Sequence, residues 1–80
     1  SPLRPEEINF LERALANGSP RARRAAIDAL ALVADEAAAE LVAFALADEE
    51  HDVQLAAIRA LGVMGRTEPL ITLLSSENEP

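Results

Sequence analysis

Eighty residues make one small domain or part of a larger one and exclude two, since domains usually run to about 100–200 residues. Fourteen acids against seven arginines, with no lysine, give a net charge of −7, which repels phosphate backbones and anionic bilayers and argues against nucleic acid or membrane as partner. The absence of cysteine removes disulfides, thiolate metal sites and catalytic thiols and leaves a reducing cytoplasm as the expected compartment.

Half of the residues are hydrophobic, only Phe10 and Phe44 are aromatic, and 17 alanines with 12 leucines make this a composition of helices rather than strands. The first predicted helix covers residues 5–16, with Ile8, Leu11 and Leu15 along one side and Asn17-Gly18 closing it. The second covers residues 20–33, with Ser19 as N-cap and Pro20 at the first helical position, where a missing N–H does no harm. On its helical wheel Ala22, Ala26, Ala29, Leu30 and Val33 share the inner arc, and Arg21, Arg24 and Asp28 lie opposite. Asp35 and Glu36 open a third helix, to about residue 47, at its positive end. Ala37, Ala38, Leu41, Phe44 and Ala45 are expected inside it and Glu36, Glu40 and Ala43 outside. A fourth helix covers residues 51–64 and stops at Gly65. Thr67 caps a fifth, before Glu68 and Pro69, with Leu70, Leu73 and Leu74 as its apolar positions. The longest uncharged apolar run, residues 41–47, is far below the roughly 18 needed to span a bilayer, and Glu6 and Glu7 are wrong for a signal peptide.

The chain repeats itself. Arg23-Arg24-Ala25-Ala26-Ile27-Asp28-Ala29-Leu30 lies over Gln54-Leu55-Ala56-Ala57-Ile58-Arg59-Ala60-Leu61 at an offset of 31, with five identities in eight. Leu41-Val42-Ala43-Phe44-Ala45 lies over Leu70-Ile71-Thr72-Leu73-Leu74 at an offset of 29, which implies a turn two residues shorter in the second copy. With A and B as the two helices of a unit, the order is B, A-B, A-B: a half repeat over residues 1–18, repeats over 19–47 and 48–76, and a polar tail over 77–80.

These residues resemble a known family. Asp48, followed by Val53-Gln54-Leu55-Ala56-Ala57-Ile58-Arg59-Ala60-Leu61-Gly62, is similar to the HEAT-like repeat of the bilin-lyase type, whose pattern is Asp, four residues, Val-Arg, then Ala-Ala-x-Ala-Leu-Gly. The first unit fits the same pattern with Asn17, Ala22, Arg23 and Ala31 at the Asp, Val, Arg and Gly positions. The resemblance implies an all-α, right-handed α-α superhelix of antiparallel helix pairs, a HEAT-like solenoid of about five helices in two and a half repeats. It also implies an Asp-to-Arg contact between neighbouring repeats. Gln54 replaces the Arg of the second unit, so Arg23 with Asp48 is the one fully ionic pair that contact allows, within an inter-repeat charge ladder in which Arg21 aligns with Asp52.

Little in the chain points to catalysis or to a cofactor. His51 is the sole histidine, and although Glu49, Glu50 and Asp52 flank it, one imidazole on a turn is a weak metal ligand set or general base. Di-iron hydroxylases of HEAT-like architecture require several His-Glu pairs, and the position matching His51 in the first unit is Pro20. Ser1, Ser19, Ser75 and Ser76 lie in caps or tails, and Gly18, Gly62 and Gly65 stand at helix ends rather than in a phosphate loop. HEAT-like DNA glycosylases use basic, aromatic-bearing surfaces, whereas this chain has no Lys, Trp or Tyr.

The expected function is therefore a non-catalytic scaffold or adaptor segment that binds another protein, with no cofactor. The alternative is an enzyme-associated subunit or segment like the bilin lyases. The B helices are expected to form the binding face, where Glu36, Glu40, Ala43 and Thr72 make a smooth acidic groove, free of arginine beyond Arg13, for a basic peptide or helix. A second candidate is the outer patch around Leu55 and Val63. The missing initiator Met and the uncovered Ile71, Leu73 and Leu74 suggest a segment of a longer array, or self-association through open repeat ends.

Overall fold

The computed structural model describes residues 3–33 and 35–78, with residues 76–78 described by backbone alone. In chain order it contains α1 (Pro5–Asn17), α2 (Pro20–Val33), α3 (Glu36–Phe44), a 3-10 turn (Ala45–Ala47), α4 (His51–Val63) and α5 (Glu68–Asn78), with no strand among the described residues. Two of the helices, α2 and α3, start where a side chain supplies an acceptor for a free N–H of the first turn. Ser19 Oγ accepts from the Ala22 amide at 3.2 Å, and Asp35 Oδ1 from the Ala38 amide at 2.8 Å. The Arg4 amide donates to the Glu7 carboxylate at 2.8 Å, and Pro5 fills the first position of α1. α4 stops because Gly65 takes φ 73°, which lets the Arg66 amide reach back to the Leu61 carbonyl and the Gly65 amide to that of Gly62.

The helices form two rows, an A row of α2 and α4 and a B row of α1, α3 and α5. The largest helix–helix contact is that of α2 with α4, and α1 and α3 also pack on α2. The molecule measures 41 × 25 × 16 Å, long in one direction and thin in another, as two stacked rows require. Its core joins Ile27 and Leu30 of α2, Ala38 and Val42 of α3, Ala45 and Leu46 of the 3-10 turn, and Val53, Ala57, Ala60 and Leu61 of α4. Leu11 and Leu15 of α1 and Leu70 and Leu73 of α5 pack against it only in part. No polar or charged residue is buried among the described residues.

Several faces differ from the sequence expectation. In α2 Ala29 is exposed and Ile27 is fully buried, so the inner arc is centred on Ala26, Ile27 and Leu30. In α3 the buried stripe is Ala38, Ala39 and Val42, continued by Ala45, whereas Ala37 is exposed and Phe44 is 78 % exposed. With leucine, alanine and valine on nearly every side of this short helix, hydrophobicity does not orient it, and contact with α2 and α4 does. α5 begins 32 residues after α3, from Glu36 to Glu68, rather than 29, and the turn before it is longer, not shorter. An apolar pattern shifted by three residues moves by nearly one helical turn and superposes on itself, which is why the sequence alignment slipped. α5 also continues to Asn78, so residues 77 and 78, expected in a polar tail, are helical.

Three substitutions test this packing in thermal unfolding, where 1 kcal/mol moves the midpoint by about 4–8 °C for a chain of this size. Leu30→Ala empties a fully buried site and should cost about 2–5 kcal/mol. Gly65→Ala forces a side chain into the left-handed region and should cost about 1–2 kcal/mol. Gly62→Ala, whose added Cβ meets open space on a helix, should gain about 0.5–1 kcal/mol.

Candidate functional site

The turn between α1 and α2 and the lead-in to α4 meet at one arginine. Arg23 projects from the first turns of α2 and grips Asp48 through two bonds, Nε to Oδ2 at 2.7 Å and Nη2 to Oδ1 at 3.0 Å. Its Nη1 donates to the Gly18 carbonyl at 2.7 Å, and Asp48 Oδ1 also accepts from the Glu50 amide at 2.9 Å. Both side chains are nearly closed off, at 14 % and 11 % exposure. The hydrogen bond from Arg23 holds the Asp48 carboxyl below the usual carboxylate range against the opposing effect of desolvation, and the Glu50 amide adds to the lowering. Bonding to Asp48 raises Arg23 in turn. A bidentate guanidinium–carboxylate pair fixes angle as well as distance, so this contact sets how one unit sits on the next. The wider ladder does not form: among the described residues the ion pairs are Arg23 with Asp48 and Arg66 with Glu36, and Arg21 and Arg24 stay exposed.

On the B row, α3 and the start of α5 enclose an open groove of about 330 Å³. Glu36, Ala39, Glu40 and Ala43 line one wall, and Arg66, Glu68 and Pro69 the other. Glu36, Glu40 and Ala43 thus come together, while Thr72 is exposed and outside the lining. The later start of α5 brings its first turn opposite α3, putting Glu68 and Pro69 where Thr72 was expected. The groove is also not free of arginine. Arg66 Nη1 lies 2.8 Å from Glu36 Oε1, so one of the expected acidic groups is already paired and Glu40 and Glu68 carry the remaining negative charge. Arg66, Glu68 and Pro69 belong to the segment joining α4 to α5, whose length the repeat alignment misjudged, and no pattern in the sequence marks them as facing α3.

On the outside, α2 and α4 border a shallow cleft of about 380 Å³ that contains Leu55 and Val63. Two arginines, Arg24 and Arg59, and two aspartates, Asp28 and Asp52, line it together with Ala31, Ala56 and Ala60. His51 is exposed, and no group of acidic or imidazole side chains suited to a metal ion occurs among the described residues. No helix among the described residues is long and apolar enough to cross a membrane.

Compared with known protein families, the chain matches the one described as HEAT repeats over residues 6–80. Comparison with curated proteins and with solved structures gives no match.

Thermal melts of arginine variants test the junction. Arg23→Gln should lower the midpoint clearly, because it strands Asp48 in a nearly closed site, whereas Arg24→Gln should leave it almost unchanged. Asp48 has a lower pKa folded than unfolded, so its contribution is complete above the unfolded value of about 3.9 and is lost as the pH falls through the folded one. The native chain should therefore lose stability below about pH 4 more steeply than Arg23→Gln does. Parallel acid limbs in the two proteins would show that the pair contributes nothing.

Proposed function

Because the chain belongs to the HEAT repeat family, whose members generally mediate protein–protein interaction, we propose that it is a non-catalytic scaffold segment that holds a cationic segment of another protein against the B row. The observation that carries this reading is the groove between α3 and α5. Glu40 and Glu68 stand on opposite walls, and Ala39 and Ala43 keep the wall beside Glu40 low. Its open shape suits an extended or helical segment better than an enclosed small ligand, for which deep apolar burial is the rule. The chain's charge of −7 extends the attraction beyond the groove itself.

The Arg66–Glu36 pair tunes the groove. While it stands, Arg66 cancels one carboxylate and occupies one wall, so a cationic guest gains most of its attraction from Glu40 and Glu68. Such contacts at an exposed site govern encounter and selectivity more than total affinity, and they weaken as salt shortens the screening length to about 8 Å at 0.15 M.

Capture of a lysine-rich amphipathic peptide, measured at low and at physiological salt, tests the proposal. Glu40→Gln combined with Glu68→Gln should weaken capture several-fold at low salt, and Arg66→Gln, which frees Glu36, should strengthen it. Capture indifferent to both variants and to salt would remove the groove from the interaction.

A further inference from the structure

The outer faces of α2 and α4 repeat level by level with their charges reversed. The repeat offset of 31 sets Arg21 level with Asp52, Arg24 with Leu55, Asp28 with Arg59 and Leu32 with Val63. On each helix these four positions follow one another by three, four and four residues, so they form one stripe. Arg24 and Asp28 of one stripe and Asp52, Leu55, Arg59 and Val63 of the other border the shallow cleft between the helices, which places both stripes on the outside of the A row. They face outward from the row rather than along it, so a neighbour added at either end of the row would leave them open. All eight side chains are exposed, and Leu32 and Val63, at 88 % and 79 %, are the most exposed large hydrophobic residues among those described. None of the five charged ones belongs to an ion pair among the described residues.

Two such stripes complement each other, but within one chain they lie side by side and cannot meet. α2 and α4 run in the same direction, since Arg23 and Asp48 pair at their starts and Ala31 and Val63 border the cleft towards their ends. A half-turn about an axis between the two helices and parallel to them therefore lays α2 over the α4 of a second copy, and α4 over its α2, with the levels preserved. Arg21 then meets the second copy's Asp52, and Asp28 its Arg59. The aliphatic stem of Arg24 covers its Leu55, and Leu32 meets its Val63. Every level holds opposite charges or apolar surface, and the symmetry makes each contact twice. A half-turn about an axis across the helices also pairs the charges, but it sets Leu32 and Val63 over the polar lead-ins around Asn17 and Asp48. The apolar level selects the first axis.

We propose that the outer face of the A row pairs with the same face of a second copy of this chain, α2 over α4. The face carries three arginines and two aspartates, whereas the whole chain carries −7, so two copies meet here without the repulsion between acids that opposes them elsewhere. It is distinct from the groove between α3 and α5 and does not depend on it.

Sedimentation equilibrium of the 80-residue chain, with backbone amide shifts of the isotope-labelled chain followed against concentration, tests the pairing. The native chain should form dimers at high concentration, more weakly as salt rises, with shifts centred on Arg24, Asp28, Leu55 and Arg59. Asp28→Arg and Arg59→Asp each set like charges on one level at two symmetry-related places and should each weaken association about tenfold, as should Leu32→Glu. An equimolar mixture of the Asp28→Arg and Arg59→Asp chains regains opposite charges at both places and should associate as the native chain does, a rescue that a misfolded variant could not show. A native chain that stays monomeric at millimolar concentration, single variants that associate unchanged, a mixture that stays apart, or shifts gathered at Ile58 and Leu74 would overturn the proposal.

Discussion

Everything in this molecule depends on the seating of α4 on α2. Of the five largest fully buried side chains, Ile27 and Leu30 belong to α2, Val53 and Leu61 to α4, and only Val42 lies elsewhere. At about 1.5–3 kcal/mol for each such burial, this one junction supplies most of the apolar stabilisation that the large side chains can give. The rest of the contact is alanine. Ala26, Ala57 and Ala60 let the two helices approach closely, and in doing so leave few side-chain rotamers to freeze. Arg23 and Asp48 lie beside this apolar contact and give it direction, because hydrophobic burial alone has no preferred angle.

The surface proposed for binding follows from that seating. Because α2 and α4 make up the whole A row, the B-row helices are held from that side only, and the first turn of α5 meets α3 across an open groove rather than a packed seam. The carboxylates that line it are free to act on solvent and guests precisely to the extent that Arg66 does not claim them. The same one-sided support leaves Leu55, Ile58 and Leu74 uncovered on the far side of α4 and α5. One repeat earlier the counterparts of Ile58 and Leu74, Ile27 and Val42, are fully buried, whereas that of Leu55 is the exposed Arg24.

Much of this architecture is legible in the sequence because it is written in strong local signals. Ser19-Pro20 starts α2, Asp35 starts α3 and Gly65 ends α4, each for a backbone reason that no tertiary contact overrides. The pairing of Arg23 with Asp48 is legible through the repeat, which brings positions 25 apart in sequence to one junction. What escaped was orientation and register in alanine-rich and leucine-rich helices. The sequence points Phe44 inward and not Val42 because α3 is apolar on most sides, so only its neighbours decide which face is buried. For a related reason the repeat register points Thr72 into the groove, where the observed start of α5, about one turn later, brings Glu68 and Pro69.

The central claim is that one junction, α2 with α4, carries the fold while the flanking helices are held from one side. Native-state amide hydrogen exchange reads this residue by residue. The slowest amides should be those of Ile27, Leu30, Ala57 and Leu61, exchanging only with global unfolding, while α1 and α5 open earlier as separate units. Protection of α5 equal to that of α4, or slowest exchange in α1 or α5, would contradict it.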